Sequence, residues 1–298
     1  MSAPALSTAL YPPVAALRGA TVAQPVRIRF PHNGAFHREM KKRVDDYFDT
    51  TGYSRRDLPR MYLKAAIIFA WFAATWVALV FWAPSLWVAL PLSVVMGLAV
   101  SGIGMGVQHD ANHGATSRNG RINRILGWSM DVMGASSHVW RTKHNTVHHT
   151  FTNVAGQDDD IDLGPLGRLA PGLPRRPMHR FQHIYMWALY GFLLPKWVFY
   201  DDVSNLKAGK LGCHNLAQPT GGTLYALLAG KLTFVSWSLI VPAFFHPLWA
   251  VVLCFFIMNF TVGLVLAVTF QLAHCVQEAD FPMPEGADGR MSADWAEH

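Results

Sequence analysis

The stretch LWVALPLSVVMGLAVSGIGMGVQHDANH, residues 86–113, joins a long apolar run directly to two histidines. Residues 86–107 are apolar and long enough to cross a bilayer, which takes about 20 such residues. Glycines in the second half of this run permit close packing against another helix. His109 and His113 follow at once, and residues four apart lie on one face of a helix. The stretch therefore predicts a membrane span that ends in a pair of nitrogen ligands.

Three further apolar runs predict a bundle of four spans in two hairpins. Pro84-Ser85 and His246-Pro247 form short turns without lysine or arginine, so each pair of spans starts and ends on the same side. The third run contains Lys231, and a central lysine costs about 2.5–3.5 kcal/mol on insertion scales. We expect this lysine to reach the interface or to pair inside the bundle. The spans are predicted at residues 65–83, 86–107, 223–245 and 248–272.

The composition indicates a multi-pass integral membrane protein. Hydrophobic residues make up 51% of the chain and charged residues 15%, against about 25% charged in soluble domains. Eleven of the 25 lysines and arginines lie in residues 1–64 and twelve in residues 108–222. The positive-inside rule then places both termini and the histidines in the cytoplasm. Because long apolar runs separate the basic segments, nucleic acid is not an expected partner.

Residues 1–25 have no helical period and predict a flexible tail, followed by one membrane domain at residues 26–298. No secretory signal pattern precedes the first span, which we therefore expect to be retained. Apolar residues at every fourth position from Phe36 to Phe48 predict an amphipathic helix, lying on the membrane or on the cytoplasmic side of the domain. The three cysteines are scattered and form no CxxC pair, so neither a disulfide framework nor a cysteine-ligated metal is expected.

Two short boxes hold five of the fourteen histidines. The second box, HNTVHH at residues 144–149, repeats the four-residue spacing of HDANH, and His149 would lie about 100° round the same helix. His274 ends the fourth span at a matching depth. A tetrahedral zinc takes four ligands, so six convergent histidines indicate two metals, or one metal with further histidines around it. The predicted ligands are His109, His113, His144, His148, His149 and His274.

Acidic and amide side chains next to these boxes have a role in such a site. A metal-bound imidazole usually donates its other N–H to a carboxylate or carbonyl oxygen. The run DDDID, residues 158–162, is either such a set or a solvated loop. Asp131 and Asn153 are further candidates. The residues predicted to support the ligands are Asp110, Asn112, Asn145, Asp158, Asp160 and Asp162.

The two boxes resemble those of the membrane fatty acid desaturase family. HDANH after a glycine-rich span is similar to its first box, and HNTVHHTFTNVAGQDDDID resembles its second, in particular in the acyl-lipid and linoleoyl-CoA (front-end) branch. QLAH at residues 271–274 is similar to the histidine that follows the fourth span. The resemblance implies an all-α integral membrane fold, in which a cytoplasmic helical cap over the four spans holds a di-metal site. No QxxHH follows His274, so the resemblance implies truncation before the third box.

The resemblance also implies the reaction. Two iron ions, O2 and two electrons would introduce a cis double bond into a fatty acyl chain carried as acyl-CoA or acyl-lipid. An external donor, a ferredoxin or a cytochrome b5-type protein with its reductase, is expected, because residues 1–60 lack the HPGG haem motif. Arg175, Arg176 and Arg180 are candidates to dock such a donor. Membrane lipid is the other expected partner. Candidates to line the acyl tunnel, or else to pack in the core, are Trp128, Met130, Met133 and Trp140.

Three other functions stay open. A histidine-box di-iron hydroxylase of lipids or alkanes would share the metal chemistry but insert oxygen; the TN and DDDID after the second box favour desaturation. A metal-binding membrane protein or transporter would place polar residues at mid-membrane, whereas these histidines follow the spans. A truncated fragment without activity is the third.

Overall fold

Apolar runs and short polar connections alternate along the chain, and the fold is accordingly helical. The computed structural model describes residues 27–31, 34–286 and 288–298; the tail predicted at residues 1–25 lies outside them. The strands among these residues form one hairpin, β1 (Lys210–Leu211) with β2 (His214–Asn215). The helices, some with π-helical turns, are α1 (Ala35–Thr51), α2 (Pro59–Trp82), α3 (Leu86–Asn112), α4 (Gly120–Gly127), α5 (Ser129–Val132), α6 (residues 137–151), α7 (Gln182–Gly191), α8 (residues 193–208), α9 (Gly221–Ala243) and α10 (Leu248–His274).

Four of the described helices, α2, α3, α9 and α10, are long and apolar enough to cross a membrane, which confirms the predicted bundle of four spans. Two of them extend beyond the apolar runs. Helix α2 begins at Pro59, a residue favoured in the first turn of a helix. Helix α3 continues to Asn112 and thus carries the first histidine box on its last turn. The two hairpins meet at their turns, where His246 Nε2 lies 2.9 Å from the carbonyl oxygen of Val80.

Close packing of α3 against α10 forms the centre of the bundle. A Cβ atom on Gly97 would lie 2.6 Å from Thr261 Cβ and 2.7 Å from the carbonyl oxygen of Met258. Only glycine permits this approach of the two helices, as the glycine-rich sequence predicts. The core beside this contact includes Met96 and Ile103, which are 1% and 0% exposed. The two helices that end in His109 and His274 are therefore held against each other.

Between the two hairpins, residues 113–220 form short helices that pack against the spans, with Gly191 of α7 against Phe260 of α10 and the carbonyl oxygen of Val132 accepting from Trp237 Nε1 of α9. Helical structure in residues 125–140 is interrupted at Gly134, which adopts φ 96° where its backbone meets the ring of Phe234. The proline-rich segment at residues 163–178 is a loop with short 3-10 turns. The lysine in the third span pairs, since Lys231 Nζ lies 2.8 Å from Asp202 Oδ2 on α8.

Candidate metal centre

The first histidine box lies at the end of α3. A π-helical turn, Gly104–Gln108, precedes His109–Asn112, and the rings of His109 and His113 are 4.6 Å apart. Asp110 accepts a hydrogen bond from Lys64 Nζ at 2.9 Å, and its other oxygen lies 3.6 Å from His109 Nδ1. The box therefore holds two neighbouring imidazoles beside a carboxylate that is itself held by the first span.

The second box differs from the predicted helix. Residues Arg141–His148 of α6 form a π-helix, in which hydrogen bonds join residues five apart. His149 is therefore brought beside His144, with ring centroids 4.6 Å apart, and His148 is 5.3 Å from His144. The offset of about 100° for His149 was predicted for an α-helix, and the box is π-helical instead. The π-helix directs all three imidazoles of this box toward one another.

The two boxes and the end of the fourth span converge on one cluster. The ring of His113 lies 5.2 Å from that of His144 and 5.0 Å from that of His149. The ring of His274 lies 4.4 Å from that of His148. Two groups of three side chains are able to hold a metal ion, and within each group the donor atoms all lie within 4.8 Å of one another. The first group is His109, His113 and His144. The second is His144, His148 and Asp160. All six predicted ligands are thus brought together.

The state of His144 fits a metal ligand. Its Nε2 atom is buried and has no hydrogen-bond partner among the described residues. Burial, together with the nearby His148 and His149, lowers the pKa of His144 to about 3, and burial lowers that of His113 to about 4. The neutral imidazole that binds metals is therefore the stable form at neutral pH. Nitrogen donors with one carboxylate suit iron, zinc, copper or nickel.

Asp158 orients the imidazole of His148. Its Oδ2 atom lies 3.0 Å from His148 Nδ1 and accepts from the backbone N–H of Asn153 at 3.0 Å. Burial, the largest single influence, lowers the pKa of His148, but the hydrogen bond to Asp158 together with the negative charges of Asp158 and Asp160 outweighs it, so that the pKa is raised overall. Asp160 lies 3.5 Å from the same Nδ1 and pairs with Lys143 Nζ at 2.8 Å. It belongs to one of the donor groups, so it is placed as a possible ligand as well as a supporting residue.

The other predicted supporting residues have different surroundings. Asn145 Nδ2 donates to the backbone oxygen of Asn112 at 3.0 Å and so joins the two boxes. Asn112 Nδ2 donates to the carbonyl oxygen of Gly127. Asp162 is exposed and accepts from the backbone N–H of Gly164 at 2.8 Å; among the described contacts it makes no hydrogen bond to the six histidines.

Two further residues contact the cluster: Asn153 was a candidate from the sequence, whereas Trp140 was not recognised there as a neighbour of the histidines. Trp140, considered there for the acyl tunnel, stacks on His144 at 4.4 Å and lies 5.6 Å from the rings of His109 and His113. Trp140 precedes His144 by four residues, and this spacing could have indicated from the sequence that the two side chains are neighbours. Asn153 Nδ2 donates to the backbone oxygen of His274 at 2.9 Å and so ties the loop after the second box to the fourth span.

The remaining tunnel candidates divide by burial. Met130 and Met133 are buried in the main core with Trp140, whereas Trp128 is 39% exposed. Among the other histidines, His138 and His246 bind backbone carbonyl oxygens. His32 lies outside the described residues.

The fold and the site together define a helical integral membrane protein that carries a histidine-rich metal centre at one end of its spans. Residues 84–298 match the family described as fatty acid desaturase. The chain is 36% identical to the sn-1 linoleoyl-lipid 6-desaturase of Arthrospira platensis over 91% of its own length and 73% of the relative. It is also 36% identical to the enzyme of the same name from Synechocystis sp. (strain ATCC 27184 / PCC 6803 / Kazusa), over 91% and 76% of the two chains.

A third relative, the acyl-lipid (8-3)-desaturase of Physcomitrium patens, is 33% identical over 89% of this chain and 55% of its own. The chain belongs to the fatty acid desaturase family. It is a membrane oxidoreductase that introduces double bonds into fatty acyl chains, and its substrates are a fatty acyl lipid and O2.

Proposed function

We propose that the chain is an acyl-lipid desaturase of the front-end type, with two iron ions bound at the histidine cluster. The observation that carries this proposal is the convergence of α3, α6 and α10 on one cluster of nitrogen donors. The relatives at 36% identity are named for a linoleoyl-lipid substrate and for position 6. An acyl group on a membrane lipid, rather than on coenzyme A, is accordingly the proposed substrate.

The proposed iron ligands are the six histidines of the cluster. Iron, when bound, supplies the activation of O2 needed to remove hydrogen from an unactivated methylene. The protein's own residues hold the ligands: Asp158 accepts from His148 Nδ1 and leaves Nε2 free to face a metal. Lys64 holds Asp110 beside His109. Trp140 covers three of the rings and excludes water from that side. The proposed supporting residues are Asp110, Asn112, Asn145, Asp158 and Asp160.

The proposed orientation places the cluster and both termini in the cytoplasm, because the basic residues lie at that end of the spans. Electrons would come from a separate ferredoxin or cytochrome b5-type donor. Arg175, Arg176 and Arg180 are exposed in the loop before α7 and offer a positive surface to an acidic donor. Charge reversal of all three is expected to slow reduction at low salt, whereas Arg121→Glu is not. Equal reduction rates in the two variants would contradict this docking site.

Product analysis tests the function. Membranes containing the protein, an electron donor and isotopically labelled linoleoyl phospholipid are expected to yield a more unsaturated acyl chain, identified by mass spectrometry with its double-bond position. Labelled linoleoyl-CoA, with re-esterification blocked, is the matched alternative. A hydroxylated chain without new unsaturation would identify a hydroxylase instead, and conversion of the CoA ester alone would refute the acyl-lipid substrate.

A further inference from the structure

The charged residue in the third span has a specific partner. Lys231 Nζ lies 2.8 Å from Asp202 Oδ2 and donates to the carbonyl oxygen of Val198 at 2.6 Å. Asp202 is 0% exposed. Replacing a buried ion pair by apolar residues is often neutral or stabilising. Stability of the fold is therefore a weak explanation for this pair, and its other contacts give a better one.

Asp202 also contacts the start of the helix that carries the second histidine box. Its Oδ2 atom accepts from the backbone N–H of Ser136 at 2.8 Å. Ser136 is the N-cap of α6, and its hydroxyl accepts from the backbone N–H of Val139. The first N–H groups of a helix have no partner within the helix, and negative charge is favourable there. Asp202 thus binds the N-terminal end of α6, where a carboxylate interacts most favourably with a helix.

A second buried carboxylate acts on the next residue. Asp131 Oδ1 lies 3.3 Å from the backbone nitrogen of Ser137. Asp131 is in turn pressed against Gly230, where a Cβ atom would lie 2.6 Å from Asp131 Cβ. Consecutive residues of the third span, Gly230 and Lys231, therefore hold the two carboxylates that bind consecutive N–H groups at the start of α6.

The position of this helix start determines the position of the ligands. Trp140 N donates to the carbonyl oxygen of Ser136 at 2.9 Å, one turn into α6. Trp140 stacks on His144, which follows one turn later. A shift or tilt at Ser136 is consequently passed to His144 and His148 through a rigid helical turn.

We propose that Asp202, held by Lys231, is a positioning residue for the second histidine box. The inference rests on the proposed function, because it takes His144 and His148 as metal ligands. Burial raises the pKa of Asp202, and Lys231 acts against this rise. Without Lys231 the carboxyl group takes up a proton more readily and loses the charge that favours the helix start.

Two neutral double variants test the proposal in the full chain, purified in nanodiscs and loaded with Co2+ as the probe. Asp202→Asn/Lys231→Met keeps an acceptor for the Ser136 N–H, and Asp202→Leu/Lys231→Met removes it; both lack the buried charges. We expect the first, which keeps the acceptor but not the charge, to shift the visible Co2+ spectrum only slightly from that of the wild type. The second should shift the spectrum and weaken Co2+ binding by about 10- to 100-fold, the effect usual for residues that support ligands. Lys196→Met, which breaks the exposed pair with Asp201, is the control.

Identical spectra for the two double variants would overturn the positioning role and leave the proposed function intact. If the leucine variant fails to fold, Lys231→Met and Lys231→Arg are compared; the arginine should restore the wild-type spectrum, and equal spectra for these two would again overturn the role. A wild-type Co2+ spectrum that does not change in His144→Ala would overturn the proposed metal site itself, and this inference with it.

Discussion

The hydrogen bond between Asp158 and His148 selects which ring nitrogen faces the cluster. When Nδ1 donates to the carboxylate, the lone pair of the neutral ring is on Nε2. Asp158 is 2% exposed and accepts from two backbone N–H groups besides, so the carboxylate cannot rotate away. The orientation of this ligand is thus set by the loop after α6 and not by α6 itself.

Replacing Asp158 by asparagine should weaken metal binding without removing a ligand. The amide loses the negative charge that strengthens the bond to His148, and we expect metal affinity to fall by about 10- to 100-fold. Metal content at controlled free iron, measured by mass spectrometry, checks this. Asp162→Asn in the same acidic run is the control, because within the described part of the chain that side chain accepts from the backbone N–H of Gly164 and from no histidine. Equal losses in both variants would show that the charge of the loop matters and not the specific bond.

His144 is shared by both donor groups. We expect His144→Ala to abolish product formation and to reduce bound metal at both positions. His138→Ala is the matched control on the same helix, because His138 binds the carbonyl oxygen of Ala217 away from the cluster. Bound metal per chain and product yield are measured together. An active His144→Ala enzyme would be inconsistent with the proposed ligand set.

At the scale of single helices, the contact between α3 and α10 sets the distance between the first box and His274. Gly97→Ala places a methyl group against the Met258 backbone and the Thr261 side chain. Such overpacking costs about 1–3 kcal/mol, and the separation of the helices should also lower activity. Thermal unfolding in micelles gives the stability.

Gly102→Ala provides the contrast on the same helix. A Cβ atom there would meet only Ile68, with the nearest atom at 3.4 Å. We expect a change in stability within about 0.5 kcal/mol, as at other tolerant positions. If both alanine variants unfold at the same temperature, close packing at Gly97 does not limit the bundle.

The sequence was sufficient for the spans but not for the local geometry of the boxes. An apolar run of about 20 residues needs no partner to be recognised, and histidine spacing located both boxes. The π-helix at Arg141–His148 depends on tertiary contacts at both ends of α6, so a 3.6-residue period does not reveal it. The partner of Lys231 was equally hidden, since Asp202 lies 29 residues away in sequence.

At the scale of the whole molecule, the cluster joins three parts of the chain: the first hairpin, the cap and the second hairpin. Bound metal should therefore link these three parts and raise the free energy of unfolding. A ligand at a free concentration 1,000 times its Kd stabilises the fold by about 4 kcal/mol, and chelation is expected to remove that stabilisation. Hydrogen exchange should then increase in α6 and in residues 152–162 while α3 and α10 stay protected. Chelator should have no such effect on His144→Ala.

The long separation of His274 from the first box has a consequence for biogenesis. His109 and His274 stand 165 residues apart, and His274 is the last residue of α10. While the ribosome is still synthesising the second hairpin, the nascent chain offers only the histidines of the two boxes. The six proposed ligands come together only once the fourth span has left the insertion machinery and packed beside the second. We therefore expect metal to be loaded after membrane integration. An ion bound earlier would lack His274 as a ligand.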